Sequence, residues 1–182
     1  QADEDTPPPR PAIDAVRAAP RAFTYRTAQT VDGFHVKHNS HLSDVALKVV
    51  VPCSALFEAT GLMPTQLRLI IVVLLAKEVG FRPIALYPAH YRVWWKLRRP
   101  YGDEGERTND RPYWPAGKGR SADGAVWRAS AKTEFGTLDD REAASFLADL
   151  VRFFGRIVHA VLAHRGRDLH FPTWLLRARL VM

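Results

Sequence analysis

The residues with the clearest chemical potential lie between His90 and Tyr101, in the sequence HYRVWWKLRRPY. Basic side chains are interleaved there with tyrosine and tryptophan. Arginine and lysine can neutralise phosphates, and an aromatic face can stack on an unpaired base. The segment therefore predicts RNA contact; the competing interpretation is that Trp94 and Trp95 anchor a core whose edge the charges solvate. The predicted RNA-binding residues are Arg92, Lys96, Arg98, Arg99, Arg107, Arg111, Lys118 and Arg120.

The secondary structure of this segment determines which of its side chains point in the same direction. In a strand, Arg92, Lys96 and Arg98 share one face, whereas Arg99 falls on the face of Trp95. In that case we expect the basic face to bind RNA and Trp95 to point inward.

Three histidines, His35, His38 and His41, are spaced three residues apart, and the single cysteine, Cys53, lies downstream. Imidazole and thiolate are zinc ligands, but the usual paired C-x-x-C or H-x-x-x-H framework is missing. The pattern favours surface or RNA-facing histidines, and we expect no metal site.

Signatures of catalysis are missing from the sequence. It has no G-x-S-x-G elbow, no G-x-x-x-x-G-K-[ST] phosphate loop and no H-E-x-x-H helix. Asp103, Glu104 and Glu106 lie in a glycine-flanked segment that is more typical of solvated charge than of an acid/base pair. Residues 117–120, GKGR, resemble a phosphate-binding loop only superficially. We therefore expect a protein that is not an enzyme and needs no cofactor.

The first half of the chain predicts a strand followed by a helix. Val45–Val51 is rich in β-branched residues and is followed by Pro52, which is typical of a buried strand. A helix fits Pro64–Val79, with proline in its first turn and Gly80 as its C-terminal cap. A central strand over Leu69–Leu75 is the alternative, although the length of the segment favours the helix.

The second half repeats that order. Alternating residues over Ala125–Thr133 predict a second strand. Thr137 and Asp140 resemble a capping box that opens an amphipathic helix over Leu138–His164. The apolar stripe of this predicted helix consists of Ala143, Leu147, Leu150, Val151, Phe154, Ile157, Val158 and Val161.

Together these elements predict an α+β fold, in which two β-α units form a small two-layer core. The core spans residues 45–164 and is interrupted by a basic, aromatic insertion at 81–124. Prolines and arginines make residues 1–44 an extended N-terminal arm, and residues 165–182 a basic C-terminal tail.

Composition narrows the function classes. The net charge is +7, and the 26 basic residues comprise 20 Arg and 6 Lys. Arginine grips phosphate bidentately, so this bias fits RNA, although a GC-rich genome also favours arginine codons. One cysteine excludes an intrachain disulfide and fits a reducing compartment. The longest apolar run, Leu69–Ala76, is far shorter than the roughly 20 residues of a membrane-spanning helix, so we expect no membrane contact.

Three segments carry a family resemblance: ALKVVVPCSAL at Ala46–Leu56, the helix start GLMPTQL with its continuation to Val79, and Gly80-Phe81-Arg82, which keeps a Gly-x-Arg signature. They resemble a mitochondria-specific family of small-subunit ribosomal proteins, number thirty-five in animals and twenty-four in fungi. Phe135–Glu142 stands where the family has a phrase of the type F-P-x-R-x-x-N. Pro83 replaces an expected aromatic residue, and alanine stands at the expected asparagine.

The resemblance implies a non-catalytic building block of the mitochondrial small ribosomal subunit, located in the matrix. Its partners would be small-subunit rRNA and neighbouring ribosomal proteins, with no small-molecule substrate. The alternative is an accessory subunit of a mitochondrial respiratory or ATP-synthase complex, held by protein contacts only. Release from the assembly by ribonuclease separates these two hypotheses.

Overall fold

The computed structural model of the chain describes residues 6–111, 119–139 and 157–180. The described part combines helices with one antiparallel two-stranded sheet, in keeping with the α+β class. The helices are α1 (Ile13–Ala18), α2 (Asp44–Thr60), α3 (Ala89–Thr108), α4 (Ala122–Leu138), α5 (His159–Asp168) and α6 (Thr173–Leu180). The strands are β1 (Ile71–Ala76) and β2 (Phe81–Leu86), and short 3₁₀ segments cover Ala19–Ala22, Val36–His41 and Thr65–Leu67.

Helix α2 replaces the strand predicted over Val45–Val51, which was wrong. The Ser43 hydroxyl accepts a hydrogen bond from the Ala46 N–H and caps the helix, and Gly61 (φ +70°) ends it in the left-handed region. One side of α2 is buried, along Leu47, Val51, Ser54, Phe57 and Glu58. This helical spacing outweighs the β-propensity of the valines, and the helix continues through Pro52.

The helix predicted over Pro64–Val79 was wrong: the segment contains the 3₁₀ turn Thr65–Leu67 and the strand β1. The alternative of a strand over Leu69–Leu75 agrees with β1 in type and approximate position, but β1 is not a central strand. Strands β1 and β2 form a hairpin whose register runs from Ile71 opposite Leu86 to Ala76 opposite Phe81. Gly80 (φ +79°) provides the turn, and its carbonyl accepts from the Lys77 N–H. Every residue of both strands is exposed except Leu86, which is half-buried. The apolar run of this segment therefore does not belong to the core.

Helix α3 lies at the centre of the described part. The region predicted as an insertion, residues 81–124, supplies this helix, and Trp94 on it is only 2% exposed. The main core cluster consists of Phe57, Met63, Tyr91, Trp94, Trp174, Leu175 and Ala178. The prediction that the 81–124 region interrupts the core was wrong, because α3 in this region contributes Tyr91 and Trp94 to the main core cluster.

The two chain ends also pack on this core. In the N-terminal part, Val16 packs with Leu47 and Val51 of α2, and Val36 packs with Val93 of α3. The Asp32 carboxylate accepts from the Ala89 N–H at 3.0 Å and so caps α3 from 57 residues away. At the other end, α6 buries Trp174, Leu175 and Ala178. Residues 6–44 are thus not an extended arm, and the described residues of 165–182 are not a basic tail.

The second half also differs from its prediction. Ala125–Thr133 lies inside α4, which begins at the Ser121 cap, so the predicted strand was wrong. Thr137 does not open a helix, since it lies in the last turn of α4, where its hydroxyl donates to the Thr133 carbonyl. Ile157 and Val158 precede α5, so the helix predicted to His164 is not continuous there. The stripe residues Ala143, Leu147, Leu150, Val151 and Phe154 lie outside the described residues. Among the helices that are described, none combines the length and apolarity that crossing a bilayer requires.

Candidate nucleic-acid interface

The helical period of α3 decides which of its side chains meet. Arg92, Lys96 and Arg99 stand at positions i, i+4 and i+7, which is one face of a helix. Trp94 and Arg98, at i and i+4, fall on the buried face. The strand interpretation, which joined Arg98 to Arg92 and Lys96 and set Arg99 apart, was therefore wrong.

The basic face of α3 forms one wall of a groove with a volume of about 600 Å³. We call it the aromatic groove. Its cations are Arg92, Lys96 and Arg99, and Asp103 and Glu106 lie at the end nearer the C-terminus of α3. The aromatic side chains that line it are Phe23, Tyr87, Tyr91, Trp95 and Phe171. Rings and cations thus meet in one concave surface.

The rings of the groove continue the packing of the core. Tyr87 and Tyr91 are tilted against each other with centroids 5.0 Å apart, and Tyr91 lies 5.4 Å from Trp94. Trp95 lies 6.0 Å from Trp94 and is half-buried. The buried Trp94 thus packs against Tyr91 and Trp95, and Tyr87 packs on Tyr91, so the core supports three of the rings that line the groove.

The Arg92 side chain is positioned by a hydrogen bond and by a cation–π contact. Its guanidinium donates to the Ala28 carbonyl at 2.8 Å and lies 5.7 Å from the centre of the Phe23 ring. Burial lowers the pKa of Arg92, and the nearby Asp32 carboxylate opposes that shift. Arginine stays charged at neutral pH despite such a shift, so Arg92 is a positioned cation. Lys96 is exposed, and Arg99 is exposed with its Nε 3.4 Å from Asp103.

Arg98 is not available to RNA, contrary to the sequence prediction. Its guanidinium donates to both oxygens of Glu58, at 2.6 and 2.9 Å, and to the Pro9 carbonyl at 3.2 Å. Trp94 Nε1 donates to Glu58 Oε1 at 2.7 Å. Both charged side chains are at most 5% exposed. The pair is therefore part of the core and unites α2, α3 and the N-terminal segment.

The remaining predicted RNA-binding residues do not join the groove. Arg107 lies beyond it on α3 and pairs with Glu104, which raises the pKa of Arg107 and lowers that of Glu104. Arg120 donates to Asp110 Oδ2 and to the carbonyl of Arg111, so these two arginines lie together at a separate loop. Lys118 lies outside the described residues.

Sequence reasoning missed two lining residues, Phe23 and Phe171. They belong to segments predicted as arm and tail, and no local pattern relates them to α3. The aromatic content of residues 87–101 was the available sequence signal, and this segment contributes most of the lining of the groove.

The three histidines do not form a metal site with Cys53. His35 and His38 lie at the start of the 3₁₀ segment Val36–His41, whereas Cys53 is exposed on α2. Within the ranges that the structure describes, no three His, Cys, Asp or Glu side chains group as they would around a metal ion.

Comparisons with protein families, with curated proteins and with solved structures found no match for this chain. The structure also differs from the order of elements predicted from the sequence, which was strand, helix, insertion, strand, helix.

Proposed function

We propose that the protein is a non-catalytic RNA-binding protein that holds a single-stranded segment in the aromatic groove. The observation that carries the proposal is the meeting of three cations, on one face of α3, with a set of supported rings. Cations neutralise backbone phosphates, and rings stack on bases of any sequence. A mitochondrial small ribosomal subunit is the assembly that the sequence resemblance suggests for it.

The shape of the groove favours a single strand over a duplex. A volume of about 600 Å³ lies within the range of sites for small ligands and suits one or two nucleotides. Stacking on the groove rings requires bases that are free of partners, which only loops, bulges and single strands provide. Asp103 and Glu106 repel phosphates at one end, so we expect the backbone to run along Arg92, Lys96 and Arg99, away from Glu106, and the bases to face the rings.

The direct test is fluorescence anisotropy with a labelled single-stranded RNA. The double variant Lys96→Gln/Arg99→Gln should bind more weakly than the unchanged protein. Its salt dependence should flatten by roughly 0.7 log unit per lost phosphate contact. Arg107→Gln removes one charge from the same helix outside the groove and serves as the control, with little change expected. Equal affinity and equal salt slopes for the double variant and the control would reject the groove as the RNA site.

The stacking contribution is tested separately with Trp95→Leu, which keeps an apolar side chain against the core. Loss of one stacked base should cost about 1 to 3 kcal/mol of binding free energy. A circular dichroism melt shows whether the variant is folded. A folded Trp95→Leu protein that binds RNA normally contradicts the assignment of this ring.

The assembly is a separate question. The proposal expects the native protein to sediment with small-subunit rRNA and to be released by ribonuclease. The rival, an accessory subunit of a mitochondrial membrane complex, draws support from the exposed apolar hairpin, which offers strands to a protein partner. Sedimentation with a detergent-extracted membrane complex, unaffected by ribonuclease, would favour that rival.

A further inference from the structure

A second cavity, separate from the aromatic groove, lies between the chain at residues 21–29 and the 3₁₀ segment Val36–His41. Its volume is about 640 Å³. The charged, imidazole and aromatic side chains that line it are Arg21, Tyr25, His35, Lys37, His38 and His41. Arginine, lysine and three histidines line this cavity, and no carboxylate is among its lining residues. We call it the histidine cavity.

His35 is the unusual residue of this cavity. It is only 9% exposed, and its Nε2 is buried without a hydrogen-bond partner among the described residues. Buried polar atoms nearly always have a partner, and an unmade hydrogen bond is costly. An unpartnered buried atom of this kind calls for an explanation, such as an ordered water or a bound group.

The hydrogen bonds on the other side of the ring fix what Nε2 can bind. His35 Nδ1 accepts from the Lys37 N–H at 3.2 Å, so Nδ1 carries a lone pair. In a neutral imidazole the hydrogen is then on Nε2, which makes Nε2 a donor. A metal ion needs a lone pair at that atom, whereas an anion offers an acceptor. His35 therefore calls for an acceptor and not for a cation.

His38 has the same tautomer for the same reason. Its Nδ1 accepts from the His35 N–H at 3.3 Å, which leaves Nε2–H as a donor. The two ring centroids are 5.9 Å apart. In both rings Nδ1 accepts a hydrogen bond from a backbone N–H, which leaves Nε2–H free to donate to a ligand. The Ser40 hydroxyl already donates to the Lys37 carbonyl at 2.7 Å.

We propose that the histidine cavity binds a phosphate group, with His35 and His38 donating through Nε2 and Arg21 and Lys37 supplying charge. A tetrahedral oxyanion has enough acceptors for several donors at once. Nε2 of His35 is enclosed, so an anion reaches it only when a neighbouring side chain moves. We expect that side chain to be Tyr25, which stacks on the His35 ring and is 85% exposed. Lys37 Nζ lies 3.6 Å from the centre of the Tyr25 ring.

The same chemistry fits the phosphate of a small molecule and a backbone phosphate of RNA. This proposal does not depend on the aromatic groove, because the lining residues of the two sites are different. A protein without RNA affinity can still bind phosphate here.

The first experiment titrates the full chain with inorganic phosphate at constant ionic strength, with chloride as the control anion. Long-range ¹H–¹⁵N NMR of the histidine rings should show a saturable change at Nε2 of His35 and His38. His35→Asn keeps an oxygen near the position of Nδ1, which can still accept from Lys37, but removes the Nε2 donor. It should weaken phosphate binding by about tenfold or more, since a hydrogen bond to a charged group is lost.

Charge is tested with Lys37→Gln, which should also weaken binding, and with Lys48→Gln on the exposed side of α2, which should not. Thermal melting confirms that each variant is folded. No saturable response in the unchanged protein, or equal phosphate affinity in His35→Asn, would overturn the proposal. Stoichiometric zinc binding that His35→Asn abolishes would also overturn it, because zinc requires the opposite tautomer.

The second experiment identifies the source of the phosphate. Single-stranded RNA is titrated into the Lys96→Gln/Arg99→Gln protein with and without His35→Asn. A further loss of RNA affinity on adding His35→Asn supports a backbone phosphate in the histidine cavity. Unchanged RNA affinity, with phosphate binding lost, supports a small phosphorylated ligand in the same cavity.

Discussion

At the scale of single residues, the Glu58–Arg98 pair has the largest consequence for stability. A buried charge that loses its partner keeps its desolvation cost, which is why breaking such a pair costs about 3 to 5 kcal/mol. We expect Glu58→Gln to lower the free energy of unfolding by about that amount, measured by urea denaturation. Replacing both residues, as Glu58→Gln/Arg98→Met, should recover much of the loss.

The matched control for this prediction is Glu104→Gln, which breaks the exposed pair with Arg107. Its unfolding midpoint should stay nearly unchanged, because solvent screens such pairs. If Glu58→Gln were as mild as Glu104→Gln, Arg98 would have to be solvated in solution.

His90 gives the stability of the protein a pH dependence of known sign. Burial lowers its pKa below the ordinary value of 6.5, and its Nε2 lies 3.3 Å from the Ser54 hydroxyl. The unfolded chain then takes up a proton at a higher pH than the folded one. The contribution of His90 to stability is complete above about pH 6.5 and is lost as the pH falls from there toward the lowered pKa.

His90→Gln tests this assignment, since its amide can still bond to Ser54. Denaturation midpoints measured between about pH 5 and pH 8 should fall less steeply on the acid side in the variant. Identical slopes in both proteins would show that His90 is charged at little cost.

At the scale of elements, two glycines of α3 are predicted to behave in opposite ways. A Cβ at position 105 would lie 2.8 Å from Cδ2 of Phe171, whereas one at position 102 would lie 3.7 Å from Cδ2 of Leu175. Gly105→Ala should therefore cost about 1 to 3 kcal/mol through overpacking. Gly102→Ala should be neutral or stabilise by up to about 1 kcal/mol, because alanine favours the helix.

Thermal and urea unfolding of the two variants check this pair. Both variants replace a glycine of α3 by alanine, so a difference in their free energies of unfolding reports on the contact between Gly105 and Phe171, which lies just before α6. A stabilised Gly105→Ala protein would mean that Phe171 does not pack on α3.

A helix or strand could be predicted where the residues that determine it are close together in the sequence. The sequence marks α2 by the Ser43 cap, by the buried spacing Leu47, Val51 and Ser54, and by the final Gly61, whereas the valines and Pro52 favour a strand. The run Ile71–Ala76 fits a strand by composition, and only its length favoured a helix. By contrast, the partner of Arg98 is 40 residues away, and Asp32 caps α3 across 57 residues. Contacts between residues so far apart in sequence produce no periodic pattern from which they could be predicted.

The same distinction explains why only some residues of the aromatic groove could be named from the sequence. Arg92, Lys96 and Arg99 were identified by residue type, which needs no structure. Their separation from Arg98 required the helical period, and the strand assumption grouped them wrongly. Phe23 and Phe171 reach the groove only through tertiary packing.

At the scale of the whole molecule, the hairpin of β1 and β2 is predicted to tolerate polar substitution. Val72 and Leu74 are 58% and 59% exposed, so little apolar burial is lost when they change. Val72→Thr/Leu74→Thr should alter the free energy of unfolding by only about 0.5 kcal/mol per site and raise solubility. Leu47→Ala in the core is the contrasting variant and should cost about 2 to 5 kcal/mol.

Urea titration and concentration limits before precipitation measure the two effects. A cost of several kcal/mol for the hairpin variant would mean that these strands are covered in solution.

The position of α6 in the core has a consequence for synthesis. Trp174, Leu175 and Ala178 belong to the same cluster as Phe57, so that cluster cannot form until α6 has left the ribosome. Contacts between residues so far apart in sequence form slowly, and until they form Tyr91 and Trp94 are exposed to aggregation. The nascent chain should therefore gain protease resistance in one step, when α6 emerges, and not progressively as the earlier helices emerge.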